Sequence, residues 1–394
     1  MSFSTGAFVA GQRSDEVLDG FYRAHQWFEL RTSVTGRTPV LLRGAVEVAF
    51  NHPAEAERLL RSVIRGQAKS SEADDAYYLL SRIYLRSGQY ARLMNTYRAW
   101  RASLPDSPQL RGEQQTIDKL SGRPDQINER IRPTTVRHEA DSYSIPVSIN
   151  GKADDFLADT GAWTSVLTER EAKKFGLTIQ GEVKTMTGAS GDTTKFRTAV
   201  AKDVLVGATL FHDVSFAVLE PTGPLADVEG GIVGMPILLG LGTISWSKNG
   251  TADLGRVDIR PNALEPNLVF EGDRLLLRLE VLGARTFMTL DTGADTTDLN
   301  ANFAERFPAD IQRGKRATHD ITGAGGTQTF ESVELSELVF GIGQMRPVLQ
   351  PAYVTLQRIG LIGGNCCIGN VGRDVLTQRQ VLSIDLSSMI LEMK

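Results

Sequence analysis

The sequence predicts a mainly β protein built in two lobes and preceded by an α-helical third. Three observations predict it. Before residue 120, apolar residues recur at three- and four-residue spacings. From residue 143 onward, short strand-like runs alternate with glycine-rich turns. Within that second part, three motifs occur twice in the same order, at offsets that drift only from 132 to 138 residues.

In the helical part, "GAVEVAFNHPAEAERLLRSVIRG" (44–66) and "DDAYYLLSRIYLRSGQYARLMNTYRAWRASLP" (74–105) carry the helical period. His52-Pro53 and Ser87-Gly88 fall where turns between helices belong. "HPAEAERLL" returns in kind as "SGQYARLMN" about 35 residues later, which resembles the spacing of tetratricopeptide-type (TPR-like) helical hairpins. Residues 1–120 are therefore expected to form an α-helical, TPR-like domain. Arg31, Arg37, Arg43, Arg58, Arg61 and Arg65 make it locally basic. A solvated helical face explains them, and a docking surface for an acidic protein partner is the sharper alternative. Residues 121–142 are polar, contain two prolines and show little periodicity, so they read as a linker.

The first β lobe is expected over 143–260 and the second over 261–394. "YSIPVSINGKADDFLAD" places Asn150-Gly151 between two strand-like runs, a strong signal for a tight hairpin. "FLADTGAWTSVL" answers "MTLDTGADTTDL", and "MTGASGDTTKF" (186–196) answers "ITGAGGTQTF" (321–330). "GGIVGMPILLG" (230–240) answers "IGNVGRDVLTQ" (368–378). Offsets that drift while order is kept are what loop insertions produce in a duplicated unit.

Each copy sets one aspartate at a strand-to-turn junction, where burial of its charge is costly. Gly161 and Gly293 permit a tight turn there, and Thr160 and Thr292 can direct their hydroxyls into a neighbouring loop. If the copies face each other across a pseudo-twofold axis, Asp159 and Asp291 meet. Two carboxylates that close cannot both ionise freely and share one proton. The protonated one can donate to a carbonyl while the ionised one takes a proton from water.

The motifs "LDTGADTT", "TGAGGTQ" and "NVGRDVLTQ" resemble those of retropepsins, the retroviral-type aspartic proteases, and the first copy is a more divergent version. Two such lobes in one chain resemble the bilobed pepsin architecture. The resemblance covers roughly residues 143–394. It implies a bilobed aspartic-protease (retropepsin-like) fold and an aspartic endopeptidase with Asp159 and Asp291 as the catalytic pair. It implies crossed hydrogen bonds from Thr160 and Thr292, and turns at Gly161 and Gly293. Flap tips that bind substrate are implied at Gly188, Ala189, Ser190 and Gly191, and at Gly323, Ala324, Gly325 and Gly326. The segments around Gly234 and Gly372 would pack behind the aspartate loops.

Two departures matter. Ala162 and Ala294 stand where pepsin-like enzymes usually carry a serine or threonine that donates to the outer carboxylate oxygen. Their absence predicts higher dyad pKa values and activity at weakly acidic pH. The first flap also lacks the tyrosine common in pepsin-like enzymes. Trp163 has no counterpart in "DTGAD" and reads as a core aromatic or a subsite wall. A peptide-gripping scaffold without catalysis, an acid–base enzyme for small molecules, and lobes pairing between chains are the other readings of the same cleft.

No metal or other cofactor is expected, because His25, His52, His138, His212 and His319 lie far apart without metal-ligand spacing. "TGASGDT" lacks the spacing of a nucleophile elbow, and "GAGGTQT" lacks the lysine of a phosphate loop. A net charge of −4 and a pI near 5.9 give no basic field for nucleic acid or membrane. No apolar run approaches the ~18–20 residues of a membrane span. The start does not read as a secretory leader, and the compartment stays unassigned. A soluble monomer, its lobes paired through the short segment at about 258–272, is expected to act on an extended peptide or protein. Cys366 and Cys367 are adjacent, seldom a disulfide arrangement, and read as small apolar residues beside a strand or as a redox pair.

Overall fold

The structure is a computed structural model and describes residues 14–139, 142–188, 190–220, 230–256, 265–357 and 366–394. Eight helices run from Asp15–Arg23 to Gln114–Leu120 among the described residues. The turns fall where the sequence places them. Val40–Ala49 gives way at His52 to Pro53–Gly66, where proline in the first turn forfeits no intrahelical bond. Ser71–Arg86 ends before Gly88, whose φ of +68° reverses the chain into Tyr90–Ser103. Three of these helices begin on serine caps, with Ser14 accepting from Val17, Ser70 from Ala73 and Ser107 from Leu110. Arg58 and Arg61 pair with Glu55 and Glu57 on their own helix, so that part of the basic face is neutralised in place.

Residues 121–142 correct the linker reading. Ile127–Asn128 adds a strand to the edge of the first lobe's sheet, and Thr134–Arg137 joins a separate sheet. Arg123 and Gln126 are buried, and Gln126 donates to the Pro236 carbonyl at 3.0 Å. The strands are two and four residues long and rich in polar side chains, too little pattern to register as strand.

The first lobe closes on itself. Its sheet runs Thr209–Leu219, Ser165–Thr168, Gly231–Val233, Lys152–Ala158, Ser144–Ile149 and Thr193–Val206, and the last pairs back onto the first. The second lobe repeats the central order with Ala284–Leu290, Gly369–Val371 and Asp298–Leu299. In both, a short strand after the glycine turn pairs antiparallel with the strand that runs parallel to the aspartate-bearing one. The hairpin turn at Asn150 and Gly151 has φ of +52° and +76°, as two-residue turns of this type require.

A five-stranded sheet then joins the lobes: Thr134–Arg137, Thr251–Leu254, Thr243–Ser247, Val381–Asp385 and Ile390–Met393. At its centre Ser245 pairs with Ser383 and donates to it at 2.7 Å. The helical part grips both lobes. Trp27 donates to Glu271 at 2.6 Å and Phe28 stacks on Phe287 at 5.9 Å on the second. On the first, a Cβ on Gly88 would sit 3.0 Å from Pro236, and Tyr90 reaches Thr164 at 3.5 Å. One apolar cluster is continuous through all three parts. Of the segment between the lobes, residues 257–264 lie outside the described residues. Among the described residues no helix is long and apolar enough to cross a membrane.

Candidate active site

Asp159 and Asp291 end equivalent strands, Lys152–Ala158 and Ala284–Leu290, and each main-chain N–H is fixed by a carbonyl one strand away. Asp159 N donates to Val233 at 3.0 Å and Asp291 N to Val371 at 3.1 Å. The turn that follows aims backbone donors at the side chain. Gly161 N and Ala162 N donate to Asp159 Oδ1 at 2.7 and 3.1 Å. Gly293 N and Ala294 N donate to Asp291 Oδ1 at 3.0 and 3.1 Å. Two donors on one oxygen hold each carboxyl group in a single orientation.

The threonines tie the turns across the lobe boundary. Thr160 N donates to Thr292 Oγ1, and Thr292 N to Thr160 Oγ1, both at 3.1 Å. Each hydroxyl then donates to the carbonyl preceding the opposite aspartate: Thr160 to Leu290 at 2.8 Å, Thr292 to Ala158 at 2.5 Å. All four groups are buried, so the bonds act in a low-dielectric setting. The crossed pattern named from the sequence is thus present.

Glycine is needed where the two turns approach. A Cβ on Gly161 would lie 2.7 Å from the Asp291 carboxyl carbon, and one on Gly293 would lie 2.4 Å from that of Asp159. Gly234 and Gly372 press against the turns from behind, where a Cβ would meet the carbonyls of Thr164 and Thr296 at 2.5 and 2.3 Å. The next residues, Met235 and Arg373, donate to Ala162 and Ala294, each at 2.8 Å.

The carboxyl groups are surrounded by protein although both residues keep some exposed surface. Burial pushes Asp159 well above the usual carboxylate range, and the neighbouring Asp291 charge pushes it further. Asp291 is also raised by burial, but hydrogen bonds from Asp159, Asn370, Gly293 and Ala294 pull it back. Asn370 was not among the residues picked out from the sequence. Its Nδ2 donates to Asp291 Oδ2 at 3.2 Å, supplying from another strand the donor that Ala294 lacks.

The glycine clusters cap two long hairpins, Ile179–Thr187 with Thr193–Val206 and Lys315–Gly323 with Gly326–Leu335. Their tips touch. A Cβ on Gly188 would lie 2.9 Å from Ala324 N, and one on Gly325 would lie 2.7 Å from Asp192 Cβ. Gln328 Nε2 donates to Asp192 Oδ1 at 2.6 Å across the gap. Ser190 is buried in the first tip, Gly191 turns it with φ of +90°, and Gly326 turns the second with φ of +147°. Ala189 lies outside the described residues. Asp192 and Gln328 were missed because polar residues beside glycines carry no periodic signal.

Trp163 packs, partly buried, against Met186, Phe196, Ala217 and Leu219. The Arg123 guanidinium lies 5.9 Å from its ring and 5.8 Å from that of Phe196, a site no motif announced. In the second lobe His319 Nε2 contacts Asp298 Oδ1 at 2.7 Å and stacks on Tyr353 at 4.7 Å. Cys366 and Cys367 correct another expectation, being disulfide-bonded to each other. Cys367 is buried, and its carbonyl accepts from Asn300 and Asn302 just before the strand that bears Asn370. No group of three or more metal-ligating side chains occurs among the described residues.

The family model described as "gag-polyprotein putative aspartyl protease" matches residues 145–242, about a quarter of the chain. That span runs from the first hairpin through Asp159 and the first flap to the Gly234 turn, so the match falls on the lobe whose motifs are the more divergent. No curated protein matches. Among solved structures, the chain is similar to a retropepsin-like aspartic protease from Rickettsia conorii, at 19% identity and a TM-score of 0.24. The likeness covers 32% of this chain and 93% of that one. The family model carries the retropepsin-like likeness of the first lobe.

Proposed function

We propose that the chain is an aspartic endopeptidase that works as a monomer, with a duplicated lobe supplying each half of one site. The observation that carries this reading is the Asp159–Asp291 pair, two carboxyl groups in contact, each locked by its own turn and by the crossed threonines. A pair held this way keeps one proton between two sites over a range of pH. Water bound between them gives a proton to the ionised carboxylate as its oxygen attacks a peptide carbonyl carbon. The protonated partner donates to the carbonyl oxygen. Collapse of the intermediate breaks the C–N bond, and a proton passes from the pair to the departing nitrogen.

An extended peptide crossing between the lobes would lie beneath the flap tips and present backbone groups to them, as an added strand does. The tips touch, so entry requires them to part. Thr160, Gly161, Thr292 and Gly293 support the pair, and the residues of the two tips contact substrate. With both carboxyl groups raised, activity is expected to peak at weakly acidic pH. Its acid limb would mark the first ionisation of the pair and its alkaline limb the second.

Cleavage of a diverse peptide library between about pH 3 and 7 tests the proposal, using wild type, Asp159→Asn and Asp291→Asn, with and without pepstatin. Loss of at least about a thousandfold in each folded variant is expected. A folded wild type that cuts nothing would turn the reading to a peptide-gripping cleft or to acid–base chemistry on a small molecule.

A further inference from the structure

The inner oxygens of the pair are treated alike, each accepting two backbone N–H groups. The outer oxygens are not. Asp291 Oδ2 accepts from Asn370 at 3.2 Å, whereas Asp159 accepts no side-chain amide or hydroxyl among the described residues. Asn370 is the middle residue of Gly369–Val371, and the middle residue of the equivalent Gly231–Val233 is Ile232, which has nothing to donate. We propose that Asn370 is a positioning residue that assigns the charge within the pair: its amide holds Asp291 ionised and leaves the shared proton on Asp159.

This inference rests on reading the pair as catalytic and adds a division of labour to it. A donor to a carboxylate favours the ionised form, and the effect grows where water is excluded. Asn370 is buried, and its backbone is paired on both sides, parallel to Thr289 and antiparallel to Asp298. The amide is therefore held in place. Asp291 then takes the proton from the attacking water while Asp159 gives its own to the carbonyl oxygen. When the C–N bond breaks, the Asp291 proton goes to the nitrogen and Asp159 recovers a proton from the carbonyl-derived hydroxyl. The pair ends as it began.

Other charged groups surround the site. Asp298 stands opposite Asn370 and is met by His319 from the second flap. Asp374 accepts from Thr297, Arg373 pairs with Asp295, and Asp192 sits at the flap tips. All remain when residue 370 alone is changed, so the comparison isolates the amide.

The test is a carboxyl titration by 13C NMR of protein labelled at aspartate Cγ, run on wild type, Asn370→Ala and Asn370→Ile, with Asp159→Asn and Asp291→Asn for assignment. In wild type Asp291 is expected to ionise first. Removing the amide should raise the lower of the two macroscopic values by roughly one pH unit and shift the acid limb of kcat/KM equally, without loss of fold. Ile232→Asn combined with Asn370→Ile should reverse the order of ionisation, and the single variants decide the question if the double one does not fold. An unchanged lower value in folded Asn370→Ala would overturn the proposal. So would a fall, since the amide would then be presenting its oxygen to a protonated Asp291. Absence of cleavage in the wild type counts against the catalytic reading alone, because the titration needs no turnover.

Discussion

Beside its aspartate the first lobe places Ile232 opposite Val166, and the second places Asn370 opposite Asp298. Residues directly opposed across an antiparallel ladder share a face, so one aspartate has an apolar wall and the other a polar one. The contrast extends outward. Val166 continues into Met186, Phe196, Ala217, Leu219 and Trp163, while Asp298 continues into His319 and Tyr353. The backbone bonds to the two aspartates nevertheless match, down to the glycine behind each turn. The frame fixes where the carboxyl groups are; the walls fix what each one does.

If the frame is common property, damage to it should cost the same from either side. Gly161→Ala and Gly293→Ala each drive a Cβ against the opposite carboxyl group. Both are expected to lower kcat/KM by at least about a hundredfold in folded protein, since small misplacements at reacting groups carry costs of that order. A large difference between the two would break the symmetry of the frame. Thr160→Val and Thr292→Val keep shape but leave a buried N–H and a buried carbonyl without their partners. Each should lose about 1–3 kcal/mol of stability for every group so orphaned, read by urea unfolding.

The walls should show up as unequal responses to pH. Both carboxyl groups are raised in the folded state, and the Asn370 amide offsets the rise at Asp291. A raised acid favours the fold below its unfolded pKa of about 3.9, and that contribution is lost as pH rises toward the folded value. Replacing it with asparagine removes the loss. Asp159→Asn should therefore match wild type in Tm near pH 3 and exceed it increasingly toward pH 7, with a smaller gain for Asp291→Asn. Equal gains would mean that the walls do not tune the pair.

The frame was legible in the sequence and the walls were not, for a physical reason. Asp-Thr-Gly recurs because each turn supplies one carboxyl group, one crossed threonine and one glycine that admits no Cβ. Asn370 works by reaching one oxygen from the next strand, and "IGNVG" gives no hint that its asparagine points at a carboxylate. The helices were legible because burial imposes a period, though their grip on both lobes depends on single contacts such as Trp27 with Glu271. Strands 127–128 and 134–137 were hidden because short edge strands with polar side chains resemble a linker. The adjacent cysteines misled because spacing alone could not say that this turn closes them on each other.

The flap tips offer the finest test, since there the two lobes touch each other directly, and under the proposed function a peptide must come between them. Gln328 of the second tip donates to Asp192 of the first, while the closest remaining approaches set Gly188 against the Ala324 backbone and Gly325 against Asp192. A partly exposed bond to a carboxylate contributes on the order of 1 kcal/mol, enough to shift closure about fivefold. Gln328→Ala removes that contribution from whichever closed arrangement makes the bond more strongly, that of the free or that of the substrate-bound protein. If the bond persists over bound peptide, kcat/KM falls a few-fold through KM, and Asp192→Asn, which keeps an acceptor, loses less. If substrate parts the tips and breaks the bond, the same change favours entry and KM falls instead. Steady-state kinetics on one good peptide separates these outcomes, and either one states whether the unlike lobes close on each other or only on what lies between them.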